Sequence, residues 1–201
     1  MCHTTISIRE YIFDMNLFSI MQGNYKDTQV KVLTVGDSGV GKSLLTSILT
    51  ENNGSKNQCK WTIGANTEIA MHCYRQGTAD EAIYCCELWD VSGNQAHRNS
   101  RNVFYRDFHA LIFVHDLTNR KSLINIAQWS DEVLGGDQES GANVPLILVG
   151  TKQNEVPMAK RNEVSERSRR MAEEIGAVHI NLDSMDTKVL TPGSSVKIGM
   201  R

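Results

Sequence analysis

The run Gly36-Asp37-Ser38-Gly39-Val40-Gly41-Lys42-Ser43 matches the pattern G-x-x-x-x-G-K-[S/T]. Two different periodicities flank it. Val30–Val35 reads as a buried strand, and Leu44, Leu45, Ile48 and Leu49 recur at helical spacing. Strand, glycine-rich loop and helix form the context in which this pattern holds phosphate. The glycines let the backbone curl, so that N–H groups along Gly39, Val40 and Gly41 point inward at one anion. The helix opening at Gly41 adds its positive end. Lys42 then reaches the β and γ phosphates as a point charge, and Ser43 offers its hydroxyl to Mg²⁺. A chance glycine-rich turn would not come with both flanking elements. A nucleoside diphosphate or triphosphate with magnesium is the ligand implied.

Downstream, strands and helices alternate. Ile69–Tyr74 and Ala82–Leu88 are strand-like runs around the turn-rich Gln76-Gly77-Thr78-Ala79-Asp80, which predicts a hairpin. Ala110–Val114 and Leu146–Val149 are short apolar runs of the kind covered on both faces. Leu123, Ile126, Ala127 and Val133 mark a helix between them. Val164, Ser168, Met171, Ala172 and Ile175 mark another, with Gly176 as its stop signal, and Val178–Leu182 is a last strand. The order predicts an α/β fold: a doubly wound, mostly parallel six-stranded sheet with one antiparallel hairpin.

Composition narrows the function classes. The 201 residues are 40% apolar and 22% charged, with a net charge of −2. At about 150 residues per domain, one domain with extra pieces is expected. No global basic field argues for nucleic acid. Around Arg167, Arg169 and Arg170, the pairs Glu166–Arg170, Arg169–Glu173 and Arg170–Glu174 fall at i,i+4, the pattern of a solvated helix face. The longest apolar runs, such as Ala110–Val114, fall far short of the roughly 20 residues that span a membrane. The cysteines are Cys2, Cys59, Cys73, Cys85 and Cys86, an odd number without C-x-x-C, which reads as free thiols in a reducing compartment. Neither the cysteines nor the six histidines show metal-ligand spacing. Residues 1–28 mix apolar and charged positions too evenly for a signal peptide. They read as an extension, either poorly ordered or carrying a short amphipathic helix that docks on the domain or a partner.

Three further segments bear on the nucleotide: Trp61-Thr62-Ile63-Gly64, Leu88-Trp89-Asp90-Val91-Ser92-Gly93, and Gly150-Thr151-Lys152. Together with the phosphate loop, Val103-Phe104-Tyr105, Val114-His115-Asp116-Leu117-Thr118-Asn119, Ile180-Asn181-Leu182-Asp183 and Gly193-Ser194-Ser195, they carry a resemblance. The chain resembles the Ras superfamily of small GTPases, its Rab branch, and within that the Rab-like protein 3 family, over about residues 30–195, which implies a small-GTPase domain at 29–195. The resemblance implies a guanine-nucleotide switch in which Thr62 ligates Mg²⁺ and senses the γ-phosphate. Asp90 would hold Mg²⁺ through water, and the Gly93 amide would sense the γ-phosphate. Loss of that phosphate would release both loops. Effector or regulator proteins are the implied partners, and homodimerisation is raised. The prenylation cysteines of ordinary Rab proteins are absent, so no lipid anchor of its own is expected. A cytoplasmic protein, peripheral to membranes through partners, is the expected location.

Departures from the family pattern shape these expectations. Asn94 stands where a water-orienting glutamine is usual, so Lys42, Thr62 and Asn94 are expected to support slow hydrolysis. Thr151-Lys152-Gln153-Asn154 replaces the base-reading T-K-x-D. Asn154 sets an NH₂ against the guanine donors, a mismatch that favours xanthine, although Glu155 could swing in to restore charge. Ser184-Met185-Asp186 stands where the superfamily has S-A-K, and the Met185 N–H remains a base contact. After Gly193-Ser194-Ser195, relatives begin a final helix, of which residues 196–201 would be a stub. Two readings follow: the chain is shortened, or residues 1–28 cover the sheet instead. The rival function is a non-cycling interaction module with degenerate base specificity. A P-loop kinase would need a phosphoacceptor site and an arginine-rich lid, and the sequence shows neither.

Overall fold

Strand β1 (Gln29–Val35) rises from an exposed first residue into a core where Val30, Val32, Leu33 and Val35 are buried. The computed structural model describes residues 12–14, 29–50, 62–79, 81–135 and 144–182. After the phosphate loop comes helix α1 (Lys42–Leu49), whose Leu45, Ile48 and Leu49 face the sheet as their spacing predicts. Strands β2 (Ala65–Tyr74) and β3 (Ala82–Val91) form the hairpin. Both run further than the apolar pattern marked, to the pair Ala65↔Val91. The ladder is made by backbone groups, so polar Thr67, Glu68 and Asp90 extend it where hydropathy stops. Glu68 also ties β2 to α1, accepting from Ser47 Oγ at 2.9 Å and Thr50 Oγ1 at 2.5 Å.

A short helix α2 (Arg98–Arg101), set between the 3₁₀ turns Gln95–His97 and Asn102–Phe104, leads to β4 (Ala110–Asp116), buried along its whole length. The helix expected around Leu123–Val133 is divided into α3 (Arg120–Ile124) and α4 (Ile126–Leu134). At the division the Asn125 N–H reaches back to both Leu123 and Lys121 carbonyls. Then come β5 (Leu146–Thr151), α5 (Met158–Ile175), and β6 (Val178–Asn181). Helix α5 ends where Gly176 takes a left-handed φ of 70°, the stop predicted for it. Its arginines pair with Glu163, Glu166 and Glu173 along the solvated face.

The sheet order is β2-β3-β1-β4-β5-β6, with only β2–β3 antiparallel. This is the expected doubly wound, mostly parallel six-stranded sheet. One face, with Leu33, Leu111, Phe113 and Leu148, packs under α4 and α5. The other, with Val32, Leu88, Ile112 and Val149, packs under α1 and under residues 12–14 of the N-terminal extension. Ile12 and Phe13 are 0% and 1% exposed there. Phe13 stacks on His72 with centroids 5.2 Å apart, and Asp14 Oδ1 lies 2.8 Å from His72 Nε2. Ser184, Met185 and the residues expected to begin a final helix lie outside the described residues. Among those described, no helix is long and apolar enough to cross a membrane.

Strand order places the motifs. The chain leaves β1 toward the β2–β3 side, and the connection after β3 crosses to β4 on the other. Such a reversal opens a crevice beyond the carboxyl ends of the strands. The phosphate loop, Asp90, Asp116 and Thr151 all sit at those ends.

Candidate functional site

The phosphate loop turns where only glycine fits. Gly36 has φ +146°, and a Cβ there would stand 2.1 Å from the Val114 carbonyl oxygen. Gly39, Val40 and Gly41 carry the backbone round into α1, where the Leu45 N–H donates to Gly41 O at 2.9 Å. Lys42 folds back over the loop, its Nζ donating to Gly36 O at 2.9 Å and Asp37 O at 2.8 Å. Burial, partly opposed by Asp90 and Asp37, lowers the Lys42 pKa to about 8. A buried cation held by two carbonyls awaits a stronger anionic partner.

Beside it, Ser43, Thr62 and Asp90 converge from α1, the β2 approach and the end of β3. Ser43 Oγ donates to Asp90 Oδ2, and Thr62 Oγ1 reaches the same oxygen at 3.1 Å. The two hydroxyls are 3.3 Å apart. Asp90 Oδ1 is buried without a hydrogen-bond partner, and burial raises the carboxyl's pKa against the pull of Ser43, Lys42 and Thr62. A desolvated carboxylate with a bare oxygen, beside two hydroxyls and a phosphate cradle, fits Mg²⁺, which takes hard oxygens and few protein ligands. No group of three His, Cys, Asp or Glu able to hold a metal occurs among the described residues, so the cation would depend on phosphate oxygens as well.

Gly93 presses its backbone against the same loop. A Cβ on it would meet Asp37 C, Gly36 O and Ser38 N, all at 2.5 Å. Asn94 follows, half-buried, and its Oδ1 accepts the Ala96 N–H at 3.0 Å, capping the turn Gln95–His97. Its side-chain oxygen therefore has a local partner in this structure.

The base-side segment is tied to the loop from β5. Thr151 Oγ1 donates to Val40 O at 2.6 Å and to His115 O at 3.1 Å. Lys152, with a left-handed φ of 58°, pairs with Asp116 at 2.6 Å. Burial would raise the Asp116 pKa, but hydrogen bonds from Lys152 and Thr118 outweigh it and the net shift is downward. Asn154 sits exposed in the 3₁₀ turn Gln153–Glu155.

One cluster has no local sequence signal. Arg101 is fully buried, forks onto Glu132 and donates to the Ser92 and Asn94 carbonyls. Its partners lie up to 31 residues away on α4, beyond the reach of spacing rules. Asp37 is an unspecified position of the phosphate-loop pattern, yet its carboxylate accepts from Asn125 Nδ2 at 2.7 Å and Trp129 Nε1 at 2.9 Å.

Comparison with known proteins agrees with this geometry. The Ras family profile matches residues 31–190. Rab-like protein 3 of Xenopus laevis is 41% identical over 187 residues, covering 83% of this chain and 79% of the relative. The human Rab-like protein 3 is 40% identical with the same coverage. Small GTPase-like protein LIP2 of Arabidopsis thaliana is 33% identical over 141 residues, 62% of this chain and 42% of the relative. A phosphate loop built at the end of β1, on a sheet of this order, joins that similarity to a matching fold, and the chain belongs to the Ras family as a Rab-like small GTPase.

Proposed function

We propose that the chain is a magnesium-dependent GTP/GDP switch with slow intrinsic hydrolysis, acting in vesicle trafficking or small-GTPase signalling. The observation that carries this reading is the meeting of Ser43, Thr62 and the bare Asp90 Oδ1 beside Lys42. Mg²⁺, when bound, would neutralise charge between the β and γ phosphates. Ser43 and Thr62 would ligate it and Asp90 would hold it through water. Lys42 would exchange its two carbonyl partners for phosphate oxygens. Thr62 and the Gly93 N–H would contact the γ-phosphate, and through them its presence would be read. Lys42, Thr62 and Asn94 would serve hydrolysis, with Asn94 one methylene shorter than glutamine. Thr151, Lys152, Asn154, Ser184 and Met185 would frame the base. The output would be nucleotide-dependent binding of effector or regulator proteins, in a cytoplasmic protein that reaches membranes through partners, and as a homodimer in one assembly state.

The nucleotide released on denaturing freshly purified protein tests the reading, together with its retention when EDTA removes magnesium. Guanine nucleotide near one per chain, lost faster in EDTA, supports the switch. A protein that is empty and gains no thermal stability from guanine, xanthine or adenine nucleotides overturns it. Asn154 and the capped Asn94 favour a second reading, a GTPase-fold interaction module that does not cycle. Ser43→Asn separates the two, since it abolishes partner binding by a switch and leaves a passive module unchanged.

A further inference from the structure

Arg101 is the largest fully buried side chain among the described residues, and it lies on a four-residue helix. Nearly all its donor capacity points in two directions. Nε and Nη2 grip Glu132 at 2.6 and 2.9 Å, while Nη1 donates to Ser92 O at 3.0 Å and Asn94 O at 3.2 Å. The guanidinium Cζ lies over the Trp129 ring, 4.1 Å from its centroid, and Trp129 Nε1 donates to Asp37 Oδ1. Asp37 belongs to the phosphate loop, against whose backbone Gly93 is packed too closely to admit a Cβ. The contacts close a ring: phosphate loop, Asp37, Trp129, Arg101, the carbonyls of Ser92 and Asn94, Gly93, and the phosphate loop again. Glu132 is itself held by Tyr105 Oη at 2.8 Å and Arg98 Nε at 3.3 Å, so the anchor is rigid from both sides.

We propose that Arg101 is a positioning residue that holds the Ser92–Asn94 segment on the phosphate loop from the protein side, whether or not a terminal phosphate is present. The proposal rests on the nucleotide-switch reading and narrows it. The Gly93 N–H is presented already in place, and the response to nucleotide state falls to the loop bearing Thr62. A planar fork is needed for this task, because one lysine ammonium cannot bridge a carboxylate and two carbonyls while stacking on an indole. Preorganisation of a hydrogen-bond donor is also the device by which a site stabilises developing charge without reorganising.

Amide hydrogen exchange of residues 92–97 provides the test, in nucleotide-free, GDP-loaded and non-hydrolysable GTP-analogue-loaded protein. Wild type is expected to show rates within about twofold across the three states. Arg101→Lys is expected to speed exchange of this segment at least tenfold and make it depend on nucleotide. Its hydrolysis should fall about tenfold while nucleotide Kd stays within about threefold, a split that general loosening of the fold would not produce. Trp129→Phe, which removes the hydrogen bond to Asp37 and leaves a smaller ring under Arg101, is expected to show the same direction severalfold more weakly, and it carries the test should Arg101→Lys fail to fold. Slowing of wild-type exchange tenfold or more on triphosphate binding would overturn the proposal, as would unchanged exchange in both variants. If no nucleotide binds at all, the switch reading fails. The nucleotide-free comparison of wild type with the variants still decides the role of Arg101.

Discussion

At the residue scale, Asn154 and Lys42 are the positions proposed to meet the base and the phosphates of the nucleotide. An amide facing guanine's donors loses a charged hydrogen bond worth about 1.5–3 kcal/mol. Asn154→Asp is therefore expected to tighten GDP binding about ten- to hundredfold and to weaken xanthosine diphosphate, as read by competition with a fluorescent nucleotide. A smaller gain would mean that Glu155 already supplies the charge. Lys42 adds a pH dependence. Its folded pKa of about 8 lies below the ordinary 10.5, so the cost of burying its charge is fully present below pH 8 and lifts as pH rises toward 10.5. Phosphate binding runs the other way, because a neutral amine must first take up a proton. Nucleotide affinity is expected to fall about tenfold per pH unit above pH 8, in titrations between pH 7 and 9.5. Lys42→Met should flatten that slope.

At the scale of elements, the end of β3 depends on its fit to the loop after β1. Gly93 carries no Cβ because the phosphate-loop backbone already occupies that space. Gly93→Ala is expected to cost about 1–3 kcal/mol of stability by overpacking, measured as the midpoint of urea unfolding. It should also hasten nucleotide release, since the loop must yield. An unchanged midpoint would show that the two backbones part easily. The hairpin shows how much of an element is legible in side chains. Alternation in Ile69–Tyr74 and Ala82–Leu88 marked its strands, but the stretch that reaches the site, Ala65–Glu68 with Trp89–Val91, is polar or mixed. Its pairing is a backbone property, and its side chains are chosen for the site.

For the whole molecule, the notable feature is the second cover on the sheet. Ile12 and Phe13 share a core with Val30, Ala70, Tyr74 and Ile180, joining the two edge strands' neighbourhoods to the extension. Phe13→Ala is expected to destabilise the protein by about 3–5 kcal/mol in denaturant unfolding, the cost of emptying a buried aromatic site. Asp14→Asn, which removes only a partly exposed partner of His72, should cost about 1 kcal/mol or less. Equal losses from both would mean that the hydrogen bond to His72, rather than the apolar cover, holds the segment.

Local chemistry determined the fold class and half of the site. The phosphate loop is one contiguous stretch whose curl, charge and helix follow from residues within eight positions, and Gly176 stops helix α5 by backbone conformation alone. The apolar periods then place the strands whose ends carry Asp90, Asp116 and Thr151. Tertiary structure alone decided that Ser43, Thr62 and Asp90 share one oxygen, and that Arg101 reaches Glu132 and Trp129. It also placed Ile12 and Phe13 against a sheet more than fifteen residues downstream. Spacing encodes neighbours along a helix or strand. Contacts between elements depend on how the whole sheet twists and stacks, and on which desolvated groups must find partners once it does.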